Sequence, residues 1–130
     1  MSRLPGFRLV VAGLLLATGL INGGALAKGP EFFETQATVS ARELPSQGVR
    51  TYELIHRGGP FAHVKDGVVF GNRERLLPAH TRGYYREYTV ETPGLSHRGA
   101  KRIVCGGQAR SPDACYYTAD HYASFRKIVP

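Results

Sequence analysis

Four side chains in the second half of the sequence have the types needed for acid–base chemistry on a phosphate ester: Glu87, Arg98, Arg102 and His121. A carboxylate and an imidazole can act as general base and general acid, because their ordinary pKa values, roughly 4.3 and 6.5, bracket mildly acidic conditions. Arginine forks match phosphate oxygens, and the spacing of Arg98 and Arg102 predicts that both project from one face of a strand. Such a set fits the cleavage of RNA, whose own 2′-hydroxyl is the nucleophile.

Taken singly, each of these residues also fits an ordinary surface role. Glu87 follows Arg86 and could form an exposed ion pair, which contributes little stability. His121 could be a turn residue, and the two arginines could belong to a solvated basic edge of the sheet.

The first 27 residues have the pattern of an export signal. Arg3 and Arg8 precede an apolar run over 9–21, and Ala25-Leu26-Ala27 forms a small-x-small cleavage site. That run is too short to span a bilayer, which takes about 20 residues. We therefore expect a secreted protein, periplasmic or extracellular, that comprises residues 28–130 and has no membrane attachment after cleavage.

The charge and the cysteine content limit which partners and cofactors can be expected. The formal net charge is +7, from 17 basic and 10 acidic residues. Residues 1–27 contain two of the basic residues and none of the acidic ones, so the exported domain carries a net charge of +5. This charge favours nucleic acid or an anionic surface as partner, although such a surplus can also serve solubility alone. Cys105 and Cys115 would pair in an oxidising compartment, and the short loop that they close would contribute roughly 2.5–3 kcal/mol. Two thiols without a matching histidine pair do not complete a zinc site, so we expect no metal and no cofactor.

Local signals predict one helix after an N-terminal extension. Residues 28–43 show only weak periodicity and are interpreted as an extended entry segment. Pro45 then begins the helix, and Gly58-Gly59-Pro60 ends it. The residues at helical spacing that we expect to be buried are Val49, Tyr52, Ile55 and His56.

Beyond the helix the pattern changes from period 3.6 to period 2. The predicted strands are 68–70, 84–91, 102–105, 116–118 and 124–129. A helix followed by strands indicates an α+β domain over 44–130, with one helix packed on a single antiparallel sheet of about five short strands. The other face of the sheet is then open to a polymer.

Four ordered blocks resemble the microbial guanyl-specific ribonucleases, the family that includes barnase. Together the blocks span about 44–128, which is most of the mature chain. They are Gly59-Pro60-Phe61 with Asp66 to Phe70, Asn72-Arg73-Glu74 and Leu77-Pro78; Gly83 to Val90 with Thr92-Pro93-Gly94; Arg98 to Val104; and Tyr116 to Phe125.

The resemblance implies a role for each candidate residue. Glu87 falls on the general base and His121 on the general acid, while Arg98 and Arg102 fall on the phosphate-binding arginines. The implied reaction is metal-independent transphosphorylation to a 2′,3′-cyclic phosphate, followed by hydrolysis.

The same resemblance implies that the segment 68–74 reads guanine. Backbone N–H groups near Asn72 and Arg73 would meet O6, and the Glu74 carboxylate would accept from N1–H and the 2-amino group. We expect Phe70 and Tyr122 to stack on the base. Alternatively, Phe70 belongs to the core, and Glu74 to a surface charge cluster with its neighbouring arginines.

Three features depart from the family pattern. Gly71 stands where several relatives carry a longer polar side chain. Arg86, directly beside the expected base, is expected to act on it electrostatically. Cys105 and Cys115 flank an insertion that gives the loop before His121 its own shape.

These observations predict a secreted, monomeric endoribonuclease that cleaves single-stranded RNA 3′ of guanosine. By resemblance we also expect an acidic inhibitor of the barstar type. One alternative is a noncatalytic basic module that binds RNA or an anionic surface, although a carboxylate among phosphate-binding residues would weaken such binding. Another is a ribonuclease toxin acting on competing cells through the same chemistry.

Overall fold

The computed structural model describes residues 36–130, so the predicted signal over 1–27 and residues 28–35 lie outside the described residues. One helix packs on a five-stranded sheet, as predicted. The elements are β1 (Thr38–Ser40), a 3-10 turn (Ala41–Glu43), α1 (Ser46–Arg57), β2 (Tyr85–Thr89), β3 (Arg102–Gly107), β4 (Pro112–Thr118) and β5 (Arg126–Val129). Within 36–130 no helix is long and apolar enough to cross a membrane.

The helix begins and ends where the sequence predicted. Pro45 precedes its first turn, and Gly58 closes it in the left-handed region at φ 82°, where a residue without a Cβ is favoured. Ile55 is fully buried, but His56 is exposed, so its predicted burial is wrong. The reason is helical geometry: Thr51 and Ile55, four residues apart, both face the sheet, whereas His56 lies about 100° further round the helix.

The sheet has the strand order β1-β5-β4-β3-β2. All neighbours are antiparallel except β1, which pairs in parallel with β5 and places residues 38–40 of the predicted extension in the sheet. The predicted strand over 68–70 is reduced to a single bridge between Val69 and Arg86. Val68 and Val69 remain more than two-fifths exposed, because this segment runs beside the edge strand β2 and then turns into a loop.

Side-chain alternation gives the sheet two different faces. The face under α1 holds the buried residues Ile55, Tyr88, Val90, Ile103 and Tyr117, together with a disulfide. That disulfide joins Cys105 to Cys115 at directly opposite positions of β3 and β4, with a Cα–Cα distance of 4.1 Å, and it confirms the predicted pairing.

The open face carries a second hydrophobic cluster made of Leu77, Tyr85, Val104, Tyr116 and Phe125. Phe70 and Tyr122 pack against it. By alternation, Glu87, Thr89 and Arg102 project from this same face, so the candidate site lies opposite the helix.

Candidate active site

Glu87 occupies the middle of β2. Its backbone N–H donates to the Val68 carbonyl at 3.0 Å, and its carbonyl accepts from the Gly67 N–H at 2.7 Å. Its side chain is only 12% exposed. A carboxylate held this firmly on a strand has a fixed direction, as general-base chemistry requires.

Arg98 binds the carboxylate of Glu87, although not for the predicted reason. Its Nη2 donates to Glu87 Oε1 at 3.1 Å, and its Nε donates to Thr89 Oγ1 at 2.9 Å. Arg98 lies in the loop before β3, which begins only at Arg102. The shared strand parity of the two arginines is therefore wrong, and the loop rather than the strand brings Arg98 to the site.

Arg102 lies beneath this pair, opposite Thr89 on β2 and Thr118 on β4, and is 3% exposed. Its Nη1 donates to the Lys101 carbonyl at 2.8 Å, while its Nε is buried and has no hydrogen-bond partner within residues 36–130. Buried donors are normally satisfied. Arg102 forms no salt bridge within residues 36–130, so it adds positive charge next to Glu87 and Arg98.

His121 and Tyr122 form a turn in an unusual backbone conformation. Their φ angles are 53° and 73°, in the left-handed region that few non-glycine residues adopt and that is often found at functional sites. The His121 N–H donates to the Ala100 carbonyl at 3.0 Å, and the Tyr122 N–H donates to Thr118 Oγ1 at 3.1 Å. The exposed imidazole is thereby anchored by its own backbone.

Asp120 braces this turn. Its carboxylate accepts hydrogen bonds from the Ser124 hydroxyl and N–H and from the Thr118 hydroxyl. The bonds from Ser124 and then Thr118 hold the pKa of Asp120 below its ordinary value. An ionised acceptor at the foot of the turn helps to keep the next two residues in place.

The Tyr122 hydroxyl donates to Glu87 Oε2, a contact that the sequence analysis missed. Burial, followed by this hydrogen bond, raises the pKa of Tyr122 to about 12, while the nearby charge of Arg102 opposes the rise. Tyr122 therefore stays a neutral donor at ordinary pH. Glu87 is held from both sides, by a cation on one oxygen and a phenol on the other.

Asn72 closes the loop that is predicted to read guanine. This residue has a φ of 49°, and its side chain donates to the Leu77 carbonyl at 2.9 Å and accepts from the Leu77 N–H at 3.2 Å. The amide side chain is thus used to hold the loop. Within residues 36–130, the backbone N–H groups of Asn72 and Arg73 donate to no other protein group, which leaves them for a ligand.

One cavity of about 730 Å³ brings the predicted residues together. Its lining includes Phe70, Asn72, Arg73, Glu74, Glu87, His121 and Tyr122. The rings of Phe70 and Tyr122 lie 4.9 Å apart, and Phe70 also packs on Phe125, so Phe70 both lines the cavity and joins the core. Arg98 and Arg102 do not line it and lie behind Glu87.

Arg86 lies beside Glu87 in the sequence, but its side chain does not project into the site. Strand alternation turns its side chain away from the face of Glu87, and its Nη1 donates to the Gly67 carbonyl at 2.8 Å. This residue supports the loop that runs along β2.

Comparison with known proteins gives consistent results. A protein-family model described as ribonuclease matches residues 29–129. Guanyl-specific ribonuclease Sa3 of Kitasatospora aureofaciens is 61% identical over 85 residues, 65% of this chain, which spans 58% of the length of that protein. Guanyl-specific ribonuclease St of Saccharopolyspora erythraea is 49% identical over 91 residues, 70% of this chain and 86% of St. Guanyl-specific ribonuclease Sa of K. aureofaciens is 48% identical over 95 residues, 73% of this chain and 96% of Sa.

Solved structures of ribonuclease Sa2 are also similar. Its complexes with mononucleotides match with a TM-score of 0.68 at 46% identity, covering 73% of this chain and 95% of Sa2. Its complex with guanosine-2′-cyclophosphate matches with a TM-score of 0.66 at the same identity, covering 73% and 97%.

Proposed function

The chain belongs to the guanyl-specific ribonucleases, a family of RNA-cleaving enzymes, and we propose that its cavity cleaves single-stranded RNA 3′ of guanosine without a metal ion. The observation that carries this proposal is the Glu87 carboxylate, held between Arg98 and Tyr122 in the cavity that also contains His121 and the guanine-reading loop.

In the first step Glu87 accepts the proton of the guanosine 2′-hydroxyl while the 2′-oxygen bonds to phosphorus. The bond from phosphorus to the departing 5′-oxygen breaks, and His121 donates a proton to that oxygen. The products are a 2′,3′-cyclic phosphate and a free 5′-hydroxyl. In the second step the roles reverse: His121 takes a proton from water, and Glu87 protonates the 2′-oxygen as it leaves.

Arg98 and Arg102 stabilise the charge that develops on the phosphoryl oxygens. The buried Arg102 guanidinium supports this role by its charge, because it forms no salt bridge within residues 36–130 and its field reaches the phosphate without direct contact. Before substrate binds, the Tyr122 hydroxyl donates to the Glu87 carboxylate, the proposed general base. We propose that Tyr122 and Arg98 both turn toward the phosphate when RNA binds.

Guanine selection follows from the donors and acceptors of the loop. The unused backbone N–H groups of Asn72 and Arg73 suit O6, and the exposed carboxylate of Glu74 suits N1–H and the 2-amino group. Adenine presents neither this acceptor nor this pair of donors. In ribonuclease Sa2 the same fold binds guanosine-2′-cyclophosphate, which supports the assignment.

The test compares GpC with ApC as substrates in the presence of EDTA. We expect rapid cleavage of GpC, weak cleavage of ApC and no effect of the chelator. Glu87→Gln should lower kcat by about 10²- to 10⁴-fold while still binding a guanosine monophosphate. Glu53→Gln, which changes an exposed carboxylate on α1, is the matched control and should behave as wild type. Full activity of Glu87→Gln would favour the noncatalytic basic module.

We further propose that residues 1–27 direct secretion and that the producing cell makes an acidic inhibitor of the barstar type. An active ribonuclease would destroy the RNA of the cytoplasm in which it is synthesised. Expression of residues 28–130 without such an inhibitor should therefore arrest growth, whereas the Glu87→Gln version should not. Equal growth of both strains would contradict the need for an inhibitor.

A further inference from the structure

The loop that reads guanine continues into an aromatic pair that the proposed reaction does not use. The imidazole of His80 stacks on the ring of Tyr84 with centroids 3.6 Å apart and an interplanar angle of 15°. His80 also meets the edge of Tyr85 at 5.8 Å. The imidazole is exposed, so this pair presents an aromatic surface to the solvent.

Tyr84 is supported beneath His80 by a hydrogen bond and by contact with the sheet. Its hydroxyl donates to Asp113 Oδ2 at 2.9 Å. Its ring lies so close to Gly106 that a Cβ on that residue would be 2.1 Å from Tyr84 Cε1, so a side chain there would displace the ring. The stack is therefore supported by the sheet. Because its rings are already ordered, the binding of a flat ligand costs little additional conformational entropy.

The same loop carries an excess of positive charge. Arg73, Arg75 and Arg82 are all exposed, and none forms a salt bridge within the part of the chain that is described. Glu74 is the one acidic residue among 71–83, and guanine recognition would occupy it. Proteins that bind single-stranded nucleic acid commonly combine aromatic side chains, on which bases stack, with cationic side chains that attract the phosphates.

The position of the His80–Tyr84 pair determines which part of a bound RNA it can contact, the part 5′ or the part 3′ of the guanosine. The phosphate-binding residues lie toward the Thr89 end of β2, where Arg98 contacts Glu87. With the phosphate at that end and the base in the cavity beside Phe70, whose N–H donates to the Tyr85 carbonyl, the other end of the strand is left for RNA that continues 5′ of the guanosine. Tyr84 directly precedes the first residue of β2. It lies three residues before Glu87, which at roughly 3.3 Å per residue is about 10 Å along the strand.

We propose that His80, stacked on Tyr84, is a subsite for the base of the nucleotide that precedes guanosine. This inference rests on the proposed function and extends it from a dinucleotide to a longer RNA. Every base has a flat face, so the subsite contributes affinity without reading sequence, and purines bind better than pyrimidines because their rings are larger.

The test is the ratio of kcat/KM for ApApGpC to kcat/KM for GpC. In the wild type we expect 5′ extension to raise kcat/KM about fivefold or more, the lower end for stacking of one base. His80→Gln should bring the ratio close to one, while His80→Phe, which restores a flat ring, should keep it. His56→Gln, which changes an exposed histidine on α1, should show the wild-type ratio.

A binding measurement separates stacking from catalysis. A deoxyribonucleotide with 2-aminopurine 5′ of deoxyguanosine 3′-phosphate lacks the 2′-hydroxyl nucleophile and cannot be cleaved. Its fluorescence should be quenched on binding to the wild type and to His80→Phe, but not to His80→Gln. A wild-type ratio near one, or equal quenching by all three proteins, overturns the subsite. Failure to cleave GpC itself would instead overturn the proposed function.

Discussion

Thr89 Oγ1 accepts a hydrogen bond from Arg98 Nε at 2.9 Å, and the same guanidinium donates to Glu87 Oε1 at 3.1 Å. Thr89 is 4% exposed, and its own N–H donates to Asp66 Oδ1 at 2.7 Å. The threonine hydroxyl therefore sets the rotation of the arginine that binds Glu87, the proposed general base. We therefore expect Thr89 to act as a positioning residue, through its hydrogen bond to Arg98 rather than by contact with the substrate.

Replacement of Thr89 by valine keeps the shape of the side chain and removes this acceptor. We expect kcat for GpC to fall about tenfold, with a smaller change in KM, because a misdirected guanidinium loses more in the transition state than in the ground state. Thr89→Ser keeps the hydroxyl and should restore most of the rate. Steady-state kinetics at several pH values checks both variants.

The matched control is Thr51→Val. The Thr51 hydroxyl donates to the carbonyl of Thr89 from the helix side, at 3.0 Å, and it does not contact Arg98. This variant should lose about 1 kcal/mol in free energy of unfolding and keep its kcat. If the two valine variants lose stability alike and both keep the wild-type kcat, Thr89 is only structural.

The sequence predicts the helix and most of the sheet because the signals for these elements are local. Pro45, the apolar spacing and Gly58 lie within one segment, and the alternating pattern marks β2 without knowledge of its partners. Strand β1 carries no such pattern. Its three residues become a strand only by pairing in parallel with β5, almost 90 residues later, and local sequence does not record that contact.

The identity of the site residues can likewise be predicted, but the contacts that orient them cannot. Glu87 and His121 are identified by type and by the blocks around them. The bond from Tyr122 to Glu87 depends on two consecutive left-handed residues in a turn. Thr89 lies two residues after Glu87 on the same face of β2, so strand parity is the one signal that could have indicated it.

The disulfide should stabilise the domain without affecting the chemistry. It joins β3 to β4 on the helix side of the sheet, opposite the cavity. The double variant Cys105→Ala/Cys115→Ala should lose roughly 2.5–3 kcal/mol in free energy of unfolding, because the unfolded chain regains the freedom of the closed loop. Urea unfolding at 25 °C measures this loss. A folded double variant with greatly reduced kcat would contradict the separation of the two faces.

Two glycines on the open face should respond oppositely to alanine. Gly71 does not adopt a left-handed backbone, and a Cβ there would lie 3.6 Å from Arg73 Cγ, an ordinary contact. Gly71→Ala should therefore raise the free energy of unfolding by about 0.4–1 kcal/mol, through loss of freedom in the unfolded chain. Gly106→Ala should lower it, because the new methyl group would overlap the ring of Tyr84. Thermal and urea unfolding distinguish the two directions.

Tyr122 should make the domain sensitive to alkaline pH. Its pKa is raised to about 12, first by burial and then by its bond to Glu87, while a tyrosine in the unfolded chain ionises near 10.0. The native state thus holds this proton more tightly than the unfolded state. Its contribution to stability is complete below pH 10 and is lost as the pH rises toward 12.

Tyr122→Phe removes the titrating group, so we expect its free energy of unfolding to fall less steeply than that of the wild type between pH 10 and 12. Burial also raises the pKa of Tyr116 and Tyr117, so both proteins should still weaken in this range. Urea unfolding at intervals of half a pH unit from 8 to 12 gives the two curves. The difference between them should be constant below pH 10 and should shrink above it. A difference that stays constant up to pH 12 would show that the Tyr122 hydroxyl is not buried against Glu87 in solution.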